Sequence, residues 1–120
     1  MKAEIIKTFR FEAAHRLAHA PEGHKCRRLH GHSYRVDVHI IGPVDEQTGW
    51  VMDFGRIKET VEPILGDLDH HLLNEVPGLE NSTSELMAAY LFDRIRKALP
   101  GLSAVTVWES ETSRCVYRGE

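Results

Sequence analysis

The segment His30 to Gly42 constrains this chain most, because its side chains alternate. His30, His32, Tyr34, Val36, Val38 and Ile40 fall on one side, and Ser33, Arg35, Asp37 and His39 fall on the other. A period of two marks a β-strand with one buried face. The same period runs from Ile5 to His15, with Ile5, Lys7, Phe9, Phe11, Ala13 and His15 on one side and Thr8, Arg10 and Glu12 on the other. If the two strands pair antiparallel, the end of the first lies beside the start of the second. That pairing brings His15 next to His30 and His32.

Helical spacing takes over after the turn-rich stretch Gly42 to Gly49. Phe54, Ile57, Val61, Ile64, Leu65 and Leu68 repeat at helical intervals within Trp50 to Leu68, with Asp53 as the N-cap. Pro63 is expected to kink or stop this helix near Glu62. Beyond an irregular stretch, Ser82 and Glu85 have the spacing of a capping box. The helix they open is expected to bury Leu86, Met87, Tyr90, Leu91, Ile95 and Ala98, and Pro100 and Gly101 end it. Period two returns from Leu102 to Glu111, where Val105, Val107 and Glu109 share a face, and a turn leads to a last strand, Arg114 to Arg118. The order strand, strand, helix, helix, strand, strand predicts an α+β fold, an antiparallel four-stranded sheet with two helices on one face. Its free edges are expected to be protected by copies joining edge to edge into a barrel. With no repeat, low-complexity tract or linker, residues 1–120 are expected to form a single domain.

Charge narrows the classes of partner. The 15 Lys and Arg against 18 Asp and Glu give a formal charge of -3 with no basic run, so neither nucleic acid nor a membrane surface is an expected partner. The apolar residues of Met1 to His15 are broken by Lys2, Glu4, Lys7, Arg10 and Glu12, which is not a signal-peptide core. A cytoplasmic location is expected, and there Cys26 and Cys115 are separate thiols, with Cys115 a packing residue.

Chemistry concentrates between His15 and His32. A His-x-His pair on a strand, His30-Gly31-His32, turns both rings to one side, and His15 from the neighbouring strand supplies a third imidazole. Three such ligands with a fourth position open suit a catalytic zinc ion. The alternative is a closed four-ligand site, with Cys26 as the fourth donor, that only holds the fold. Cys26 lies in a long loop among Lys25, Arg27 and Arg28, and a thiolate near a metal and cations is a competent base or nucleophile. Asp69 and His70 offer a carboxylate and imidazole of the kind used in relays, provided a turn lets these neighbours face each other; otherwise they are a polar loop. Glu109, on an apolar face, calls either for a cationic or amidine-like ligand edge or for an arginine such as Arg114.

Taken together, several segments are specific. They are Phe11-Glu12-Ala13-Ala14-His15, Gly23-His24-Lys25-Cys26 with Leu29-His30-Gly31-His32, Gly49-Trp50 with Met52-Asp53-Phe54, Leu68-Asp69-His70-His71-Leu72-Leu73-Asn74, Pro77 to Asn81 with Thr83-Ser84-Glu85, and Val107 to Glu109. Over nearly its whole length the chain resembles the 6-pyruvoyltetrahydropterin synthase family. The resemblance implies that His15, His30 and His32 bind Zn2+, that Cys26 is the catalytic acid/base, that Asp69 and His70 form its relay, and that Glu109 anchors the pterin ring. The gap of three residues between Cys26 and His30 resembles the carboxy-forming branch, bacterial 6-carboxytetrahydropterin synthases of queuosine biosynthesis. Pyruvoyl-forming relatives tend to have a longer gap. The implied reaction takes 7,8-dihydroneopterin triphosphate to the 6-carboxytetrahydropterin, acetaldehyde and triphosphate. The implied fold is the tunnelling fold, a homo-oligomer in which trimers close a barrel and two trimers stack into a hexamer with active sites between subunits. Lys25, Arg27 and Arg28 are candidates to meet the triphosphate, against a default of plain surface solvation.

Overall fold

The computed structural model describes residues 1–120. Strands β1 (Lys2–His15) and β2 (His30–Pro43) are followed by helices α1 (Phe54–Gly66) and α2 (Ser84–Ala98) and strands β3 (Leu102–Trp108) and β4 (Arg114–Tyr117). Single 3₁₀ turns lie at Lys25–Arg27 and Leu73–Glu75. The strands form one antiparallel sheet in the order β1-β2-β3-β4. The β1–β2 ribbon is in register from Lys2 opposite Pro43 to His15 opposite His30.

Alternation decides which face the helices cover. Phe9, Phe11, Tyr34, Val36, Val38, Ile40, Val105 and Val107 meet Ile57, Val61 and Leu65 of α1 and Met87, Leu91, Phe92 and Ile95 of α2 in one core. The other face is polar and organised around Asp37, whose carboxylate accepts hydrogen bonds from Thr8 (2.7 Å), Arg35 (3.1 and 3.2 Å) and the Trp108 indole (2.8 Å). Burial works to raise the Asp37 pKa, but these donors hold it below its usual range.

Four local expectations are corrected. Helix α1 does not stop near Glu62 but continues through Pro63 to Gly66. Leu65 and Leu68, 5% and 0% exposed, lie beyond the proline. Burying two leucines at roughly 1.5–3 kcal/mol each offsets a proline cost of about 3 kcal/mol. The N-cap of α2 is Thr83, whose hydroxyl accepts from Leu86 N, rather than Ser82. The buried face of α2 is also rotated from the expected stripe: Leu86 and Ala98 are exposed, while Ala88, Phe92 and Leu99 are buried. Phe92 is drawn inward by an edge-to-face contact with Tyr117 of β4, centroids 5.3 Å apart. Strand β3 ends at Trp108, so Glu109 lies just past it, its N–H donating to the Ser113 carbonyl across the hairpin.

Candidate active site

The register of β1 against β2 sets His15 opposite His30 and Ala13 opposite His32. Three imidazoles therefore converge, with ring centroids 4.7, 4.8 and 5.2 Å apart. Two of them are oriented by backbone carbonyls. His15 is buried, and its Nδ1–H donates to Ser82 O at 3.0 Å with the Ser82 hydroxyl at 3.1 Å. The His30 Nδ1–H donates to Arg28 O at 2.7 Å. With protons committed at Nδ1, each ring presents the Nε2 lone pair to the shared space, which is how metal-ligating histidines are usually fixed. Burial, reinforced at His15 by the His30 ring, pushes the pKa of His15 and of His32 below the usual range, which favours the neutral rings a metal requires.

The Nε2 atoms of His30 and His32 are buried without a hydrogen-bond partner. Glu109 Oε1 stands 3.0 Å from His32 Nε2, a close electrostatic contact lying off the line of a ring hydrogen bond. Donor atoms of His15, His30, His32 and Glu109 all lie within 4.8 Å of one another. Orphaned imidazole nitrogens beside a carboxylate are a donor set suited to a divalent ion such as zinc. Cys26 is not among these converging donors, and the fourth group is the Glu109 carboxylate. Below them Tyr34 stacks on Phe11 at 5.0 Å, and burial pushes its phenol well up.

The loop between β1 and β2 is tied down around Cys26. Leu17 N donates to Cys26 O at 2.7 Å, His24 Nδ1 caps the short turn by accepting from Cys26 N, and Arg27 donates to Ala20 O at 2.9 Å. Cys26 is half-buried and lines a cavity of about 590 Å³ together with His30, His32 and Glu109. On the Glu109 side, Ser84 at the start of α2 donates its hydroxyl to Oε2 at 3.0 Å.

Asp69 and His70 do face each other, with Oδ1 and Nδ1 3.0 Å apart. His70 adopts φ 60°, a left-handed conformation costly for a residue with a Cβ. It is held there because residues 69–72 dock on the edge of β1: Asp69 Oδ1 accepts from Glu12 N, His70 N donates to Glu12 O, and Ala14 N donates to His71 O. The Glu12 N–H also holds the exposed Asp69 carboxylate below its usual pKa. Within one chain the pair forms no hydrogen bond with Cys26. His70 lines a second cavity, and the two cavities share His32.

The model for the family described as 6-pyruvoyl tetrahydropterin synthase matches residues 4–120. The chain belongs to that family. A 6-carboxy-5,6,7,8-tetrahydropterin synthase from Synechocystis sp. is 46% identical over 119 residues, covering 94% of this chain and 91% of the relative. A dihydroneopterin monophosphate aldolase from Pyrococcus furiosus is 38% identical over 112 residues, covering 91% of each. Among solved structures, 6-pyruvoyl tetrahydropterin synthase from Caenorhabditis elegans superposes with a TM-score of 0.92 at 28% identity, covering 100% of this chain and 97% of that one.

Two residues of this family member's site had no role assigned to them from the sequence. Ser82 had the pattern of a helix cap, yet its hydroxyl and carbonyl serve His15, 67 residues away. Ser84, an ordinary first-turn residue by pattern, holds Glu109. Neither contact has a local sequence signature, since each joins segments that meet only when α2 packs on the sheet.

Proposed function

We propose that this protein is a 6-carboxytetrahydropterin synthase, a zinc-dependent lyase that converts 7,8-dihydroneopterin triphosphate and one water molecule to 6-carboxy-5,6,7,8-tetrahydropterin, acetaldehyde and triphosphate in queuosine biosynthesis. The observation that carries this reading is the single cavity bordered by Cys26, His30, His32 and Glu109. It is supported by the 46% identity to the Synechocystis synthase and by the Cys-x-x-x-His-Gly-His spacing.

His15, His30 and His32 would hold the zinc ion. When bound, zinc supplies Lewis-acid polarisation of side-chain oxygens on the substrate. Glu109 accepts hydrogen bonds from the amino and ring N–H edge of the pterin, a two-point match to a carboxylate, while Ser84 keeps the carboxylate turned into the cavity. Cys26 takes and returns protons at the substrate side chain as its general acid/base. Asp69 orients the His70 ring so that it can pass protons to and from the Cys26 thiol of a second copy. That arrangement fits a homo-oligomer, a dimer of trimers, with each trimer closing a barrel. The open polar sheet face and the unpaired edge of β4 support such assembly. We take residues 1–120 as one pterin-binding domain working in the cytoplasm, and no helix is long and apolar enough to cross a membrane.

Mass spectrometry of the products formed from dihydroneopterin triphosphate tests this reading. The carboxy product with acetaldehyde is expected. A pyruvoyl product without acetaldehyde would assign the chain to the triphosphate-eliminating reaction alone, and no turnover would leave a zinc-stabilised binding module.

A further inference from the structure

We propose that Lys25 and Arg28, and not Arg27, form a phosphate-binding end of this cavity, the part that takes the polyanionic tail of the substrate. The inference rests on the reading above in one respect, that the ligand is a pterin carrying a phosphate chain.

Three cations crowd around Cys26 in the sequence, and the fold sorts them. Lys25–Arg27 is a 3₁₀ turn closed by the Arg28 N–H donating to Lys25 O at 3.1 Å. With three residues per turn, side chains at i and i+3 eclipse, so Lys25 and Arg28 emerge on the same side. Both line the cavity with Cys26, His30, His32 and Glu109. Arg27 is not among the residues lining this cavity and instead donates through Nη1 to the Ala20 carbonyl of its own loop at 2.9 Å.

The cavity carboxylate, Glu109, is already engaged by Ser84 and lies against His32, and neither Lys25 nor Arg28 forms an ion pair within the chain. The cavity thus carries two cations without an ion-pair partner from the β1–β2 loop and a carboxylate from just past the end of β3. A ligand with an amidine-like edge and an anionic tail matches both at once. Ser110 and Ser113, from the β3–β4 hairpin beside Glu109, also line the cavity and offer neutral hydroxyls to a ligand that spans it. The guanidinium of Arg28 can meet a phosphate through two parallel N–H donors, whereas Lys25 acts as a point charge.

The test compares two ligands on the zinc-loaded protein: dihydroneopterin triphosphate as substrate, and dihydroneopterin, which lacks phosphate, as competitive inhibitor. Lys25→Ala and Arg28→Ala should each raise KM for the triphosphate about tenfold, the effect of one lost hydrogen bond to a charged group. The Ki of dihydroneopterin and the zinc content should stay unchanged. Arg27→Ala should leave the ratio of KM to Ki at its wild-type value. Added salt should raise KM in the wild type and have a weaker effect in the double variant, because screening then has less charge to act on. An unchanged KM in both single variants, or KM and Ki rising together, would overturn the proposal. If the wild type turns over no dihydroneopterin triphosphate, the functional reading fails separately. The phosphate site is then decided by calorimetric titration with inorganic triphosphate, with zinc content checked afterwards: binding lost in the double variant upholds it, and equal binding overturns it.

Discussion

Glu109 occupies a position compatible with two roles, and replacing it separates them. Its carboxylate lies among three imidazole nitrogens, as a fourth metal donor would, and it also borders the cavity, as a pterin anchor would. As an anchor, it accepts two charge-assisted hydrogen bonds from the ligand. The side chain is 28% exposed, so each is set at the lower end of the 1.5–3 kcal/mol range for hydrogen bonds to charged groups. The sum, about 3 kcal/mol, corresponds to a KM roughly 100-fold higher in Glu109→Ala. Glu109→Gln keeps the volume and one acceptor but turns an amide NH2 toward ligand donors, and a rise of at least about tenfold is expected. Steady-state kinetics of triphosphate release and elemental analysis of zinc, run on the same preparations, provide the readouts. Both variants should retain the zinc of the wild type. If zinc falls together with activity, Glu109 is a metal donor. If KM stays at its wild-type value, the anchor reasoning is wrong.

Other expectations follow from the same geometry. Cys26→Ala and His70→Ala should each retain zinc and lose turnover, and mixing the two after dissociation and reassembly should restore about a quarter of wild-type activity if each site draws these residues from different copies. No recovery in verified mixed oligomers would place both groups in one chain's site. Ser82→Ala leaves the carbonyl that holds His15 but removes the second acceptor, so zinc affinity measured by chelator competition should fall toward the lower end of the roughly 10–100-fold range for such supporting residues; unchanged affinity would limit Ser82 to packing. Asp37→Asn should cost about 1–3 kcal/mol at pH 7, because three donors lose a buried anion. Since the folded pKa lies below the unfolded value near 3.8, this stabilisation is complete above that value and is lost as pH falls through the folded pKa. The Tm difference between variant and wild type should therefore narrow below about pH 4, and a constant difference down to pH 3 would contradict the linkage.

The sequence by itself determined whatever depends on period and adjacency. Alternation in β1 and β2 named the faces of the sheet, and antiparallel pairing of those faces already brought His15 beside His30 and His32. Asp53 capped α1 as its position indicated, its carboxylate accepting from Gly55 N at 2.9 Å. What only the tertiary structure decided involves partners distant along the chain. Ser82 and Thr83 are adjacent hydroxyl residues, and His15 claimed the first, leaving the second to cap α2. Burial of Leu65 and Leu68 carried α1 past Pro63, and docking on β1 held His70 in a conformation its own side chain disfavours. Of three neighbouring cations, the 3₁₀ turn directed two into the cavity and the loop retained the third. A one-dimensional pattern encodes which side of an element is apolar, but competition among nearby polar groups for one distant partner is resolved only when the elements pack.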